Sequence, residues 1–173
     1  VGGSNGESLS DVERAKINDD GSLGKWTREK ERTKEARYIS GYFQRDDKFY
    51  VLGGHIKSHK GASESVEIAS ATADAKTSAW KLTAPLHTRR YLNASLVVGD
   101  RAYSIAGHNA INLSSTETAT FNADGTLSEW TPETPLNIAR RAAAAVEVNS
   151  HIYVIGGMVR PMPVSVAVDS VEA

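Results

Sequence analysis

Four times along the chain a paired small-residue step recurs at close to fifty residues: Val1-Gly2-Gly3, Val51-Leu52-Gly53-Gly54, Ile105-Ala106-Gly107 and Ile155-Gly156-Gly157. Self-similarity at a fixed period constrains the architecture more than any single motif, because each unit must be one supersecondary element that buries its apolar surface on its neighbours. The units are built of short alternating segments and carry a Trp in three cases, Trp26, Trp80 and Trp130. Helical repeats are shorter and lack the glycine pair, so the period predicts a four-stranded sheet, the blade of a β-propeller.

The register holds under subtraction. Arg37, Tyr50 and Gly54 lie thirteen and then four residues apart, and Arg90, Tyr103, Gly107 and Arg140, Tyr153, Gly157 repeat both intervals. An apolar-or-Thr residue followed by Glu then closes each unit: Val12-Glu13, Val66-Glu67, Thr116-Glu117 and Val171-Glu172.

An Arg, a run of small residues, a two-residue turn, a strand ending in Gly-Gly, a Val-Glu strand and a Trp strand is an order that resembles kelch repeats, and it covers essentially the whole chain. The Asp-Gly turns ahead of Trp26 (Asp20-Gly21) and Trp130 (Asp124-Gly125) resemble those of bacterial kelch-like sequences. Two departures stand out: Ala106 replaces the first glycine of the third unit, and Thr116 replaces Val. The expectation is an all-β fold, a kelch-type β-propeller present as a partial arc of about three and a half four-stranded blades, against the roughly four to eight of a closed ring. Residues 1–173 form a single propeller portion, with approximate units 1–36, 37–89, 90–139 and 140–173.

Within one unit the pattern predicts a first strand at Ala94–Val98, a turn at Gly99-Asp100, a second strand at Ala102–Ala106, a third near Thr116–Phe121 and a fourth carrying Trp130. The aligned turns, Asp46-Asp47 and Asn149-Ser150, use residue types that tolerate the backbone angles of tight hairpins. Ala142 to Ala145 is the best helix-forming run by intrinsic propensity. Its position in the repeat predicts an inner strand instead, since tertiary context overrides propensities of this size.

The repeated residues read as structural: Arg37, Arg90 and Arg140; Gly53, Gly54, Gly107, Gly156 and Gly157; Trp26, Trp80 and Trp130. The indoles are expected to fill the space between adjacent sheets. Tyr50, Tyr103 and Tyr153 sit mid-strand, and each hydroxyl needs a partner if buried. An Arg repeated in phase with Glu13, Glu67, Glu117 and Glu172 serves each blade, with its fork satisfying carbonyls or a carboxylate between strands.

A formal net charge of -1 over 173 residues gives no electrostatic footprint for nucleic acid. No apolar run is long enough to span a bilayer. With no cysteine, disulfides and thiolate zinc sites are excluded from this stretch. The copper centre of galactose oxidase, which resembles this architecture, requires a Tyr cross-linked to a Cys that is absent here. No metal or cofactor is expected: the five histidines, including His87 and His151, read as exposed loop, linker and strand-edge residues.

Successive connections in an up-and-down sheet alternate between faces. The loops joining strand 2 to strand 3 therefore share a face with the inter-blade linkers, and the other face carries tight turns. The first set varies in sequence: Ser4 to Asp11, His55 to Ser65, His108 to Ser115 and Met158 to Ser170. Variable loops on a rigid frame are where binding resides. The candidate binding residues are His55, Lys57, His59, Lys60, His108, Asn109, Met158, Arg160 and Met162. Of these Lys57, His59, Lys60 and Arg160, with Arg89, are read as a cationic rim, and Met158 to Pro163 as a stiff loop with adaptable apolar contacts. The run Arg28-Glu29-Lys30-Glu31-Arg32 reads as a solvated connector.

Two function classes follow. The first is a non-catalytic interaction or scaffold module that grips a protein or a carbohydrate through this face. The second is a sugar-active enzyme of the kelch-like group, such as a sialic-acid mutarotase, which the architecture resembles and which requires Glu, Arg or His converging at the axis. The chain opens inside a second strand and stops inside a third. The missing blades are expected from the rest of a parent polypeptide or from a second copy of the chain.

Overall fold

The computed structural model describes residues 1–57, 61–159 and 166–173. Strands account for all regular structure among them. The first sheet is a pair, β1 (Glu13–Arg14) and β2 (Thr27–Arg28). The second has four strands in sequential order, β3 (Gly41–Arg45), β4 (Lys48–Leu52), β5 (Val66–Ser70) and β6 (Lys81–Thr83). The third repeats it with β7 (Ala94–Val98), β8 (Arg101–Ile105), β11 (Thr116–Thr120) and β12 (Thr131–Glu133), its loop holding a small ribbon of β9 (His108–Asn109) and β10 (Ile111–Asn112). The last consists of β13 (Ala144–Val148), β14 (His151–Ile155) and β15 (Val171–Glu172). All pairings are antiparallel, and β3, β7 and β13 lie side by side as the inner strands.

The alanine run is settled by backbone geometry. Ala142 sits at φ +55°, a left-handed conformation that no right-handed helix contains, and the strand starts at Ala144, two residues later than the run predicts. Leu92 and Ile39 occupy the same place in their units, at φ +54° and +48°. The Ala142 N–H donates to the Leu92 carbonyl and the Leu92 N–H to the Ile39 carbonyl, each at 2.9 Å, so three strained residues stitch the inner ends of three blades together. A β-branched residue such as Ile39 is a clear outlier in this region, held there by the neighbouring blade.

The glycine pairs have two different jobs. The first member takes φ near +60° (Gly53 +62°, Gly156 +66°), which Ala106 matches at +58°. The second takes φ beyond +100°, and a Cβ on Gly107 or Gly157 would meet a carbonyl oxygen of Tyr91 or Arg141 at 2.8 Å. Alanine stands at the first place in the third unit alone, where Ala106 keeps the left-handed φ; in the second unit a Cβ on Gly53 would meet the Arg90 carbonyl oxygen at 2.3 Å, so glycine is required there as well. The N–H groups of the second glycines reach the next blade: Gly3 to the Arg37 carbonyl, Gly54 to Arg90 and Gly107 to Arg140, at 2.8 to 2.9 Å.

The core lies between sheets. Trp130 and Leu127 of the third blade are buried against Tyr50, Leu52, Val66, Ile68 and Leu86 of the second, and Trp80 is buried with Val12, Val51 and Ala69. Each indole thus packs on the preceding blade. The Trp130 Nε1–H donates to the Ala84 carbonyl at 3.1 Å, and the Tyr50 hydroxyl donates to the Gly125 carbonyl at 2.7 Å. Burial pushes the Tyr50 phenol up to about 12. Trp26 departs from the expectation: it is 58% exposed, because no sheet precedes it among the described residues.

Candidate functional site at the loop-bearing end of the inner hairpins

The residue after each repeated Arg and the residue after each glycine pair form one unit of the site. Tyr38 and His55, Tyr91 and His108, and Arg141 and Met158 exchange reciprocal backbone hydrogen bonds of 2.8 to 3.1 Å, closing the inner hairpin of each blade at its loop-bearing end. Because Gly54 and Gly107 bring the chain close to the next blade, the pairs are neighbours in space as well as in register. Tyr38 and His55 have ring centroids 4.8 Å apart, His55 and Tyr91 5.0 Å, and Tyr91 and His108 5.1 Å. Four rings therefore run across two blades in one unbroken arc, alternating phenol and imidazole.

Arg141 continues the arc as a buried guanidinium whose Nη1 donates to the Asn112 side-chain oxygen at 2.6 Å. Asn112 in turn donates to the Met158 carbonyl at 3.0 Å. Burial pushes the His108 imidazole below its ordinary value, and the nearby Arg141 charge adds to the effect. Burial raises the Tyr91 phenol, with Arg141 opposing. Among the described residues the buried Nδ1 atoms of His55 and His108 have no hydrogen-bond partner, nor has the side-chain oxygen of Asn93.

These two histidines correct the reading of exposed loop residues: His55 is half-buried and His108 is 8% exposed. Asn109 is half-buried in β9, and Met158 is 38% exposed at the end of the arc. Lys57 is exposed and ion-paired with Glu7, and Arg89 with Glu64, so neither stands as a bare cation on the rim. His59, Lys60, Arg160 and Met162 lie outside the described residues, and most of the proline-containing loop with them. Tyr38, Tyr91 and Arg141 were not singled out by sequence reasoning. Their signal was the position directly after Arg37, Arg90 and Arg140.

Beneath the arc each repeated Arg is fully buried and makes the same contacts. Nη1 of Arg37 donates to the carbonyls of Gly53 and Ser65, at 2.8 and 3.1 Å, and Nη2 to the Ser65 hydroxyl and Glu67. Arg90 holds Ala106, Ser115 and Glu117, and Arg140 holds Gly156, Ser170 and Glu172, in the same way. The carboxylates complete the clip by accepting two linker N–H groups each: Lys34 and Glu35 on Glu67, His87 and Thr88 on Glu117, Asn137 and Ile138 on Glu172. Burial pushes Glu172 up, but these N–H groups and Arg140 outweigh it and hold the carboxyl below its ordinary value. Sequence reasoning missed the serine of the clip, although Ser-x-Glu recurs at 65–67, 115–117 and 170–172. Glu13 has no such environment and is exposed.

The mixed-charge connector is also corrected at one position. Glu29 is buried, accepts from Arg14, and takes the backbone N–H of Thr77 in the next blade at 3.1 Å. Thr83 does the same for Leu127 at 2.7 Å. Among the described residues no group of three or more His, Cys, Asp or Glu is placed to hold a metal ion, and no helix is long and apolar enough to cross a membrane.

Comparison with known proteins supports the architecture. A sequence profile of the Kelch motif matches residues 139–173. The solved structure of YjhT, a kelch-type β-propeller, superposes with a TM-score of 0.66 at 13% identity over 84% of this chain and 45% of that one. The chain thus spans about half the length of the solved protein it matches. No curated protein sequence matches it significantly. Four sheets in sequential order, the inter-blade indoles and the superposition converge on one fold: the chain is a partial all-β propeller whose last unit matches the Kelch motif.

Proposed function

We propose that the chain is a non-catalytic recognition module and that the arc of Tyr38, His55, Tyr91 and His108, ending at Arg141, is the centre of its binding surface for a protein or carbohydrate partner. The observation that supports this reading above all is the continuous row of four rings across two blades. Ring faces offer stacking area at low entropic cost. The opposite face carries the two-residue turns of the inner hairpins and the 71–80 and 121–130 connections between third and fourth strands. Loop residues 55–57, 61–63 and 108–113 flank the arc and provide the variable rim of the same surface.

A thermal-shift screen of neutral and charged oligosaccharides tests the reading. A glycan partner raises the Tm, and Tyr91→Ala abolishes the rise while the protein stays folded. Silence across the sugars assigns the face to a protein partner, to be sought by binding assays in which Tyr91→Ala and His55→Ala must weaken capture. A ligand whose affinity is unchanged by both substitutions overturns the placement.

A further inference from the structure

The second and third blades are each four-stranded, and at their turn-bearing end, opposite the arc of rings, they leave a hollow of about 300 Å³ between them. Arg45, Asp46 and Lys48 of the β3–β4 hairpin border it on one side, and Phe121, Asn122 and Gly125 of the third blade on the other.

Repeat position separates these residues from the frame. Arg45 stands where Val98 and Val148 stand in the next two units, and Phe121 where Ala71 stands in the second. A residue that serves every blade recurs, as Arg37, Arg90 and Arg140 do. A cation and a ring that replace Val and Ala at one boundary serve that boundary.

The Arg45 guanidinium carbon lies 4.2 Å from the centre of the Phe121 ring, within the range of cation–π attraction. Phe121 is set edge-on to Tyr50 at 5.6 Å and to Phe43 at 6.1 Å, so rings of both blades hold this platform. On it the guanidinium keeps donors unspent. Its Nη1 is buried with no hydrogen-bond partner among the described residues, and its ion pair with Asp46 is long, 3.9 Å, to a carboxylate that is 83% exposed. Arg37, Arg90 and Arg140 spend the same fork on carbonyls, a serine and a glutamate. The other groups of the hollow are already engaged: Lys48 is ion-paired with Asp47 at 2.9 Å, and the Tyr50 hydroxyl donates to the Gly125 carbonyl.

A planar guanidinium fixed on a ring suits a carboxylate, which its fork meets in plane through two parallel hydrogen bonds. The surrounding acids set the charge of the guest. Asp46 and Asp47 flank the two cations, and Asp124, held by the N–H and hydroxyl of Thr126, is within electrostatic reach of Lys48. Three carboxylates repel a dianion, whereas a monoanion needs one positive charge, and Arg45 supplies it. The volume is at the lower end of the range for small-molecule sites.

We propose that this hollow binds a small organic monocarboxylate, with Arg45, stacked on Phe121, gripping the carboxylate. The site lies on the face opposite the Tyr–His arc and does not depend on what that arc binds.

Acetate is the probe, titrated into the ¹⁵N-labelled chain at neutral pH against chloride at matched ionic strength. The Arg45 Nε–H resonance and the backbone amides of Ala123 and Gly125 should shift and saturate with acetate and stay in place with chloride. Arg45→Gln should abolish the shifts, and Arg45→Lys, which keeps the charge without the fork, should weaken binding at least about tenfold. Because the Arg45 side chain is 33% exposed, both variants should keep a dispersed spectrum. The wild-type titration decides the location by itself, since shifts confined to other residues overturn the proposal. So do shifts that chloride reproduces or that never saturate, acetate affinity unchanged in either variant, and inorganic phosphate binding more tightly than acetate.

Discussion

At the scale of single residues, the site depends on side chains whose neighbours alter their ordinary chemistry. His108 is the clearest case, because burial and Arg141 both favour its neutral form. Its proton affinity is thus lower in the folded than in the unfolded chain. As pH falls through about 6.5, the ordinary value, the unfolded chain takes up a proton first and stability declines until the folded imidazole also titrates. Urea midpoints at pH 7.5 and 5.5 should therefore fall more for the native chain than for His108→Gln. The sequence announced His108 as a loop residue at the place equivalent to His55, which was enough to nominate both. It could not announce their burial, since that depends on Tyr91 arriving from a position seventeen residues earlier, across a hairpin. Ala106 and Gly107 make the complementary point. A repeat reader sees one substituted glycine, whereas the backbone shows that Ala106 keeps the left-handed φ of its counterparts, while a methyl group on Gly53 would strike the Arg90 carbonyl.

At the scale of the element, the second, third and fourth blades are each held by an Arg–Ser–Glu clip. Replacing one partner of a buried ion pair leaves the other uncompensated. Arg90→Met should therefore destabilise the chain by about 3–5 kcal/mol, whereas Ser115→Ala, which removes one hydrogen bond, should cost about 1 kcal/mol. Chemical denaturation of the two variants checks both values. Strands were the most legible part of the sequence, because hairpin turns and alternation are local signals: β7 was placed to the residue, and β8 and β11 within one residue. The fourth strands were less so. Trp80 and Trp130 directly precede β6 and β12, since the indole is drawn into the space between blades while only the following residues pair. Ala142 was misread for another local reason: no sequence rule requires an alanine to adopt a left-handed conformation, and here the Leu92 carbonyl of the adjoining blade fixes it.

At the scale of the molecule, stability is the sum of contacts between nearest-neighbour blades. Trp130 fills one such boundary with its indole 2% exposed, so Trp130→Ala should destabilise the chain by about 3–5 kcal/mol. Thermal unfolding followed by circular dichroism would register it as an earlier transition. The architecture was legible because the repeat is global and needs no pair of residues to be placed in space. The candidate site was only half legible, for its members are adjacent to repeated residues and vary in kind, from Tyr38 to Tyr91 to Arg141. The clip has one more consequence. In each blade the guanidinium clasps both stems of the loop that joins strands 2 and 3, yet the residues enclosed between those stems number eleven, eight and thirteen in successive blades (54–64, 107–114 and 157–169). The frame is thereby insulated from the tip of each loop, so new peptide can be grafted at Ala110, where the β9–β10 ribbon turns, while the His108–Tyr91 and Leu113–Arg140 bridges and the wheel beneath keep their shape.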